Sequence, residues 1–257
     1  MPIAKKELDA LTKSLQILRQ ELEVKYNILF YFTESNPKPS SLFEYLVLFN
    51  AVIATNPKEL ILNRLTRGNF RSTGFLPIPS IKSYSTVFKM GDTLKPSITT
   101  KNNKQLNYWF DRSIAKGLRP DIVVRTGNYN FNSENNSHIK LFKDKDVFAE
   151  YSDSHLEEKP GCFVEKQMMK WPDDKRSYIF FRAKKEFNNP ELIIECKSFG
   201  ARLGNPQKYS EFGKQVIIVS PEPLYEPKAT NIHTIKIERN FNNLEIRERL
   251  KPFLNKL

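Results

Sequence analysis

Apolar and polar positions alternate differently along the two parts of the chain. Over residues 4–24, Leu8, Leu11, Leu15, Leu18 and Leu22 recur at spacings of three and four, with Lys, Glu and Arg filling most positions between them. That period lines one face of a helix. Two heptads are fewer than a coiled coil needs, so the stripe predicts a helix packed on its own domain, with a dimerising helix as the alternative. Ser41 and Glu44 have capping-box spacing ahead of Tyr45-Leu46-Val47-Leu48-Phe49 and predict a second helix near 41–55. Thr55-Asn56-Pro57 ends it. Between 57 and 101, prolines and glycines interrupt short apolar runs and predict loops with one or two short strands. Leu106, Trp109, Phe110 and Ile114 then share a helical face, predicting a third helix over 102–116 with Gly117 as its C-terminal cap.

From Asp121 onward the period changes. Ile122-Val123-Val124, Tyr178-Ile179-Phe180-Phe181, Leu192-Ile193-Ile194, Val216-Ile217-Ile218-Val219 and Thr234-Ile235-Lys236-Ile237 are short, β-branched, nearly continuous apolar runs. Such runs suit strands covered on both faces, which predicts an α/β fold with helices around a mixed central sheet. Residues 127–160 are rich in Asn, Ser, Asp, Glu and Lys and form a long excursion, with small strands of its own near Ile139 to Phe142. Leu244 to Leu254 has the pattern of a closing amphipathic helix. The expected organisation is a mainly helical region over 1–104, including the helix near 41–55, followed by an α/β core over 105–257 with an insertion near 127–175.

Charge narrows the partners. Lys and Arg total 41 against 29 Asp and Glu, a formal balance of +12, which favours polyanions, nucleic acid before an anionic membrane surface. The apolar stretch Leu46 to Ala54 is too short to cross a bilayer. With no signal-peptide core in the first twenty residues, the expectation is a soluble, cytoplasmic protein without a membrane partner. Cys162 and Cys196 are too few for a disulfide scaffold, and together with three scattered histidines they have no zinc-site spacing. Glycine-rich phosphate loops and Ser-His-Asp order are absent, so no nucleotide cofactor is expected.

The chemistry concentrates in Pro120-Asp121-Ile122-Val123-Val124 and Leu192-Ile193-Ile194-Glu195-Cys196-Lys197. Strand periodicity places Glu195 and Lys197 on one face and Cys196 on the other. An acid and a cation at the end of an apolar strand need compensation. A divalent ion between Asp121 and Glu195, with Lys197 beside it, supplies that. Two carboxylates, waters and a phosphate oxygen are the usual surroundings of Mg²⁺, and Mn²⁺ is its expected substitute.

These segments resemble the signature of the PD-(D/E)xK nuclease superfamily, the fold of many restriction endonucleases. The resemblance implies a restriction-endonuclease-like αβββαβ core and metal-dependent hydrolysis of phosphodiesters in double-stranded DNA. It implies Asp121 and Glu195 as metal ligands and Lys197 beside the attacking water. A type II restriction endonuclease acting as a homodimer in a prokaryotic cytoplasm is the expected subtype. Nucleases of repair, recombination, transposition or CRISPR systems share the core, and a non-catalytic nucleic-acid-binding protein is the alternative from another class.

The resemblance also marks Glu44, which matches a supporting glutamate on the first core helix, although the capping box explains that residue without chemistry. Gln207 and Tyr209 follow the triplet where some relatives carry polar active-site residues. The N-terminal region would serve DNA recognition or dimerisation. The separation of 74 positions from Asp121 to Glu195 requires an insertion. Pro172-Asp173-Asp174 is the rival first half, disfavoured because Asp173 leads into a turn and Asp121 into a strand. Arg64, Arg67 and Arg71 with Phe70, and Lys184, Lys185 and Arg202 flanking the active strand, are the expected phosphate contacts.

Overall fold

The computed structural model describes residues 3–32, 38–65, 75–76, 81–82, 87–90, 97–110, 120–127, 137–142, 163–170, 176–183, 190–197, 207–223 and 229–257. Helix α1 (Lys5–Tyr26) buries Leu11, Leu15, Leu18 and Leu22 within its own chain. The leucine stripe is therefore used in packing on its own domain and is not left for a second copy. Asn27, at φ 53°, closes the helix: its N–H donates to the Glu23 carbonyl and that of Ile28 to the Leu22 carbonyl. Asn tolerates this left-handed position better than other residues with a side chain.

Helix α2 (Pro39–Ala54) starts two residues ahead of the expected capping box. Proline's preset φ suits the first helical position, and the Leu42 N–H donates to the Lys38 carbonyl. Ser41 and Glu44 thus lie inside the helix, so Glu44 is released from a capping role. Every residue from Tyr45 to Ala54 is buried. A helix apolar around its whole circumference requires cover on all sides. That cover comes from α1 and from the C-terminal helix Asn243–Leu254, designated α4, together with the central sheet.

In spatial order the central sheet runs Ile232–Lys236, Gln215–Ser220, Leu192–Cys196, Ile122–Thr126, Gln105–Phe110, Ser97–Lys101, Glu59–Leu65 and Ile81–Lys82. Its strands are β2 (Glu59–Leu65), β4 (Ile81–Lys82), β6 (Ser97–Lys101), β7 (Gln105–Phe110), β8 (Ile122–Thr126), β12 (Leu192–Cys196), β13 (Gln215–Ser220) and β14 (Ile232–Lys236). β12, β13 and β14 are mutually parallel, and the other pairings are antiparallel, so the sheet is mixed. A parallel two-stranded pair joins β1 (Leu29–Phe32) to β5 (Val87–Met90). A separate sheet of order β10-β11-β9-β3 contains β3 (Phe75–Leu76), β9 (Ser137–Phe142), β10 (Phe163–Lys170) and β11 (Arg176–Ala183). The short helix α3 (Gln207–Ser210) lies between β12 and β13.

The strand pairing corrects one expectation. The helix predicted over 102–116 does not form at its start: residues 102–104 turn, and 105–110 are β7, paired with β6 and β8. The spacing Leu106, Trp109, Phe110 imitates a helical face, but a strand buried on both sides has no polar face to reveal its period of two. Its polar member, Asn107, is buried and donates to the Gly127 carbonyl at 2.8 Å while accepting from the Thr99 hydroxyl at 2.9 Å. Ile114 and Gly117 lie outside the described residues. Strands also arise within the first 104 residues: β2 and β6 belong to the main sheet, and the β6–β7 pairing runs across residue 104.

A polar cluster holds the helices together. The buried Asn50 amide donates to the Leu46 carbonyl and to Asn243 Oδ1, both at 2.9 Å, and accepts from Arg247 Nε at 3.0 Å. Arg247 also makes a two-pronged pair with Glu21 of α1. Replacing Asn50 with Ala leaves buried partners unmatched, for an expected loss of about 1–3 kcal/mol in urea unfolding.

Arg239 bridges Glu7 of α1 and Glu222, which follows β13. The Arg239 guanidinium, by hydrogen bond first, holds the Glu7 carboxyl below its usual 4.5. A lowered folded value adds stability above about pH 4.5 that is lost as pH falls through the folded value. The melting-temperature difference between wild type and Glu7→Gln should therefore be present at pH 6 and shrink toward pH 3.

Candidate functional site

Asp121 immediately precedes β8, and Glu195 lies at the end of β12. The antiparallel register Ile122↔Ile194 brings their backbones together. The Asp121 N–H approaches Glu195 Oε2 at 3.4 Å, and the Cys196 N–H donates to Asp121 Oδ2 at 2.6 Å. Each acid is thus held partly by the backbone of the other strand. Beyond the last β12 residue, the Lys197 N–H donates to the Val219 carbonyl at 2.8 Å, so pairing to β13 continues and Lys197 keeps the strand alternation. Its ammonium lies on the same side as the Glu195 carboxylate and donates to Oε1 at 2.6 Å. Glu195 is buried, with its side chain 7% exposed.

The site is overloaded with negative charge. Burial, then the Glu195 charge, then the Glu44 charge push the Asp121 carboxyl well above its usual 3.8; the Cys196 N–H and Lys197 oppose this. Glu44 therefore acts on Asp121 from α2, in a helix whose following turns are wholly buried. Burial also pulls on Lys197, downward, but the charge and hydrogen bond of Glu195 and the charge of Asp121 outweigh it and leave the lysine above its usual value. The Cys196 thiol is buried on the opposite strand face and raised by burial first, then by Asp121, Glu44 and Glu195. It has the properties of a packed thiol and not of a nucleophile.

A fifth group completes the cluster. The Tyr209 hydroxyl is hydrogen-bonded to Glu195, and its pKa is raised by burial and by the charges of Glu195 and Asp121. Helix α3 reaches this position because Gly213 packs against β12: a Cβ there would stand 2.9 Å from Ile193 Cδ1. The Asn231 amide secures the same turn by donating to the Ser210 carbonyl at 3.0 Å and the Gly213 carbonyl at 3.1 Å. Asn231 carries no sequence signal, since its role is backbone support from a loop far along the chain.

Asp121, Glu195, Lys197 and Glu44 are thus brought together, with Tyr209 beside them. Gln207 begins α3. Arg64 falls in β2 opposite Lys82 in register. Arg67, Arg71, Lys184, Lys185, Arg202 and the rival Asp173 lie outside the described residues. The 74-residue interval is explained topologically: β8 pairs directly with β12, while β9, β10 and β11 from the interval belong to the separate sheet.

Among the described residues, no three or more His, Cys, Asp and Glu side chains form a group that could hold a metal ion by themselves. The donor chemistry suits an ion that keeps part of its water shell: two adjoining carboxylates, a third acid acting on one of them, and no soft ligand but a buried thiol. Comparison of the chain with protein-family models, curated proteins and solved structures gave no match.

A raised folded value means that Asp121 favours folding when protonated, so metal-free stability falls as pH rises from about 3.8 through the folded value. In EDTA, Asp121→Asn should remove that part of the decline and melt above wild type at neutral pH. Added Mg²⁺ should raise the melting temperature of wild type but not of the variant. Equal pH slopes for the two proteins would show that the carboxylate is not repelled.

Proposed function

We propose that the protein is a Mg²⁺-dependent endonuclease of the PD-(D/E)xK type that hydrolyses phosphodiester bonds in DNA. The observation that carries this reading is the meeting of Asp121 with a Glu195–Lys197 ion pair, on adjacent strands and far apart in sequence. The succession α2, β7, β8, β12, α3, β13 supports it, being helix, three antiparallel strands, helix, and a strand parallel to the third. The excess of basic residues supports a polyanionic substrate.

Asp121 and Glu195 are the residues that would hold Mg²⁺, which supplies charge neutralisation at the phosphate and a more acidic bound water. Hydrolysis joins a water oxygen to phosphorus and breaks one phosphorus–ester bond, and the departing oxygen takes a proton from solvent. Lys197 is kept charged by Glu195, so its contribution is electrostatic: it orients the attacking water and offsets charge gathering on the phosphate oxygens. The Tyr209 hydroxyl restrains Glu195 from the side of α3. Glu44 deepens the negative potential at Asp121, which strengthens the site for a cation.

A type II restriction endonuclease is the subtype proposed, with double-stranded DNA as substrate. The dimer such an enzyme uses has to form through a surface other than the α1 stripe, which is buried.

Incubation with long duplex DNA, with Mg²⁺ or EDTA, tests the reading. Discrete fragments that require Mg²⁺ are expected. Lys197→Ala should lower the cleavage rate by about 100-fold or more while retaining DNA binding, the scale on which loss of one transition-state donor acts. Full activity in that variant would overturn the site, and DNA binding with no cleavage by wild type would favour a binding protein.

A further inference from the structure

Strand register carries the Glu195 and Lys197 side of the central sheet outward to β14, its outermost described strand on that side. Glu195 stands level with Ile218 on β13, and Ile218 with Thr234 on β14. The Lys197 N–H donates to the Val219 carbonyl, which keeps Lys197 level with Ser220, and Ser220 is paired with Lys236. Residues level with one another on neighbouring strands share a face, so Thr234 and Lys236 stand on the face that carries Glu195 and Lys197. Neighbouring strands are about 4.8 Å apart, which puts the Lys236 backbone about 10 Å from that of Lys197, across β13.

Exposure divides this row. Ser220 is buried, and its hydroxyl accepts from the Glu222 N–H at 2.9 Å, so it serves the turn after β13. Thr234 and Lys236 are exposed, whereas Ile235 and Ile237 on the other face are buried in the core. Past Ile237 the chain turns, with the Phe241 N–H donating to the Glu238 carbonyl, and Lys236 is the last residue of β14. Arg239 lies close in sequence but is held by Glu7 and Glu222. Lys236 enters no ion pair with a described residue.

An exposed cation that no described acid neutralises, on the face and in the row of Lys197, suits a phosphate of a polyanion that reaches Asp121 and Glu195. We propose that Lys236, with the Thr234 hydroxyl on the same strand face, holds a second backbone phosphate of the nucleic-acid substrate. The inference rests on the cleavage reading and extends it: the polyanion passes from the acidic pair over β13 and leaves the sheet at β14. One strand of a duplex carries a phosphate about every 3.4 Å along the helix axis, so a separation of about 10 Å is about three nucleotide steps. Such a contact fixes the position of the substrate, reads no base and needs no Mg²⁺.

The test is fluorescence anisotropy of the full chain with a labelled duplex in EDTA, repeated over a range of salt. Lys236→Gln should weaken binding about 5–10-fold at about 0.1 M salt and lower the slope of log affinity against log salt by about 0.9, the loss of one phosphate contact. Thr234→Val should weaken binding without changing the slope, since a neutral hydroxyl releases no counterion. Lys236→Arg should bind as wild type does. Lys58 is exposed and precedes β2 at the opposite end of the strands, so Lys58→Gln controls for net charge and should leave the slope unchanged. In Mg²⁺, Lys236→Gln should raise KM and leave kcat unchanged, the mark of a group that binds ground state and transition state alike. The substituted side chains are exposed, and circular dichroism checks that each variant keeps the fold.

Binding and slope unchanged in Lys236→Gln, or lowered equally in Lys58→Gln, overturn the proposal. If Lys197→Ala abolishes cleavage while Lys236→Gln binds and cleaves as wild type does, the nuclease reading stands and the Lys236 contact falls. If wild type does not cleave but Lys236→Gln loses affinity and slope, the contact stands and the cleavage reading falls.

Discussion

A helix with no polar face cannot stand in water, and α2 is such a helix from Tyr45 to Ala54. Its enclosure governs the described core. The α1 leucines and the apolar side of α4 cover it from the helical side. β7 and β12 meet it from the sheet side. Aromatic contacts fit these layers together: Phe49 stacks on Phe30 at 4.6 Å and Tyr45 on Phe110 at 4.7 Å. Asn50, the polar residue inside this packing, is matched by Leu46, Asn243 and Arg247 and so sets which helix lies where. Deleting the match costs more than an apolar replacement of the whole cluster would, because unmatched polar groups retain their desolvation penalty.

The same enclosure makes the site electrostatically tense. Glu44 belongs to the helix that organises the core, so its charge is delivered to Asp121 by a rigid element. Asp121 and Glu195 are held by backbone N–H groups of the paired strands and have little freedom to separate. Lys197 neutralises part of this charge but stands on Glu195, and the Asp121 carboxyl stays well above its usual value. Such a group is at rest only when protonated or near a cation, and that instability is what gives the pair its chemical interest.

Much of this is legible in the sequence because it depends on short-range pattern. The strands at Ile122, Leu192, Val216 and Ile232 are β-branched runs, and the triplet Glu195-Cys196-Lys197 has a period of two wherever its strand goes. Glu44 is legible only as an ambiguity, since Ser41 offers it a capping role. That ambiguity ends because Pro39 starts the helix earlier. The strand β7 is not legible: a run buried on both faces loses its alternation, and Leu106, Trp109 and Phe110 then imitate a helical face. Long-range partners such as the Asn231 amide under α3 leave no local trace, because the groups they satisfy are backbone carbonyls that every residue possesses.

The pairing of β8 with β12 also has a consequence in time. Joining them closes a loop of roughly 70 residues, and that loss of entropy comes before any contact between Asp121 and Glu195 is gained. Local elements such as α1, α2 and the β6–β7 hairpin need no such closure and are free to form first. During synthesis, Asp121 emerges long before its partner strand, and β13, which holds Lys197 in line, emerges later still. The chemistry of the cluster is thus withheld from the nascent chain and arrives nearly all at once, with the last strands of the central sheet.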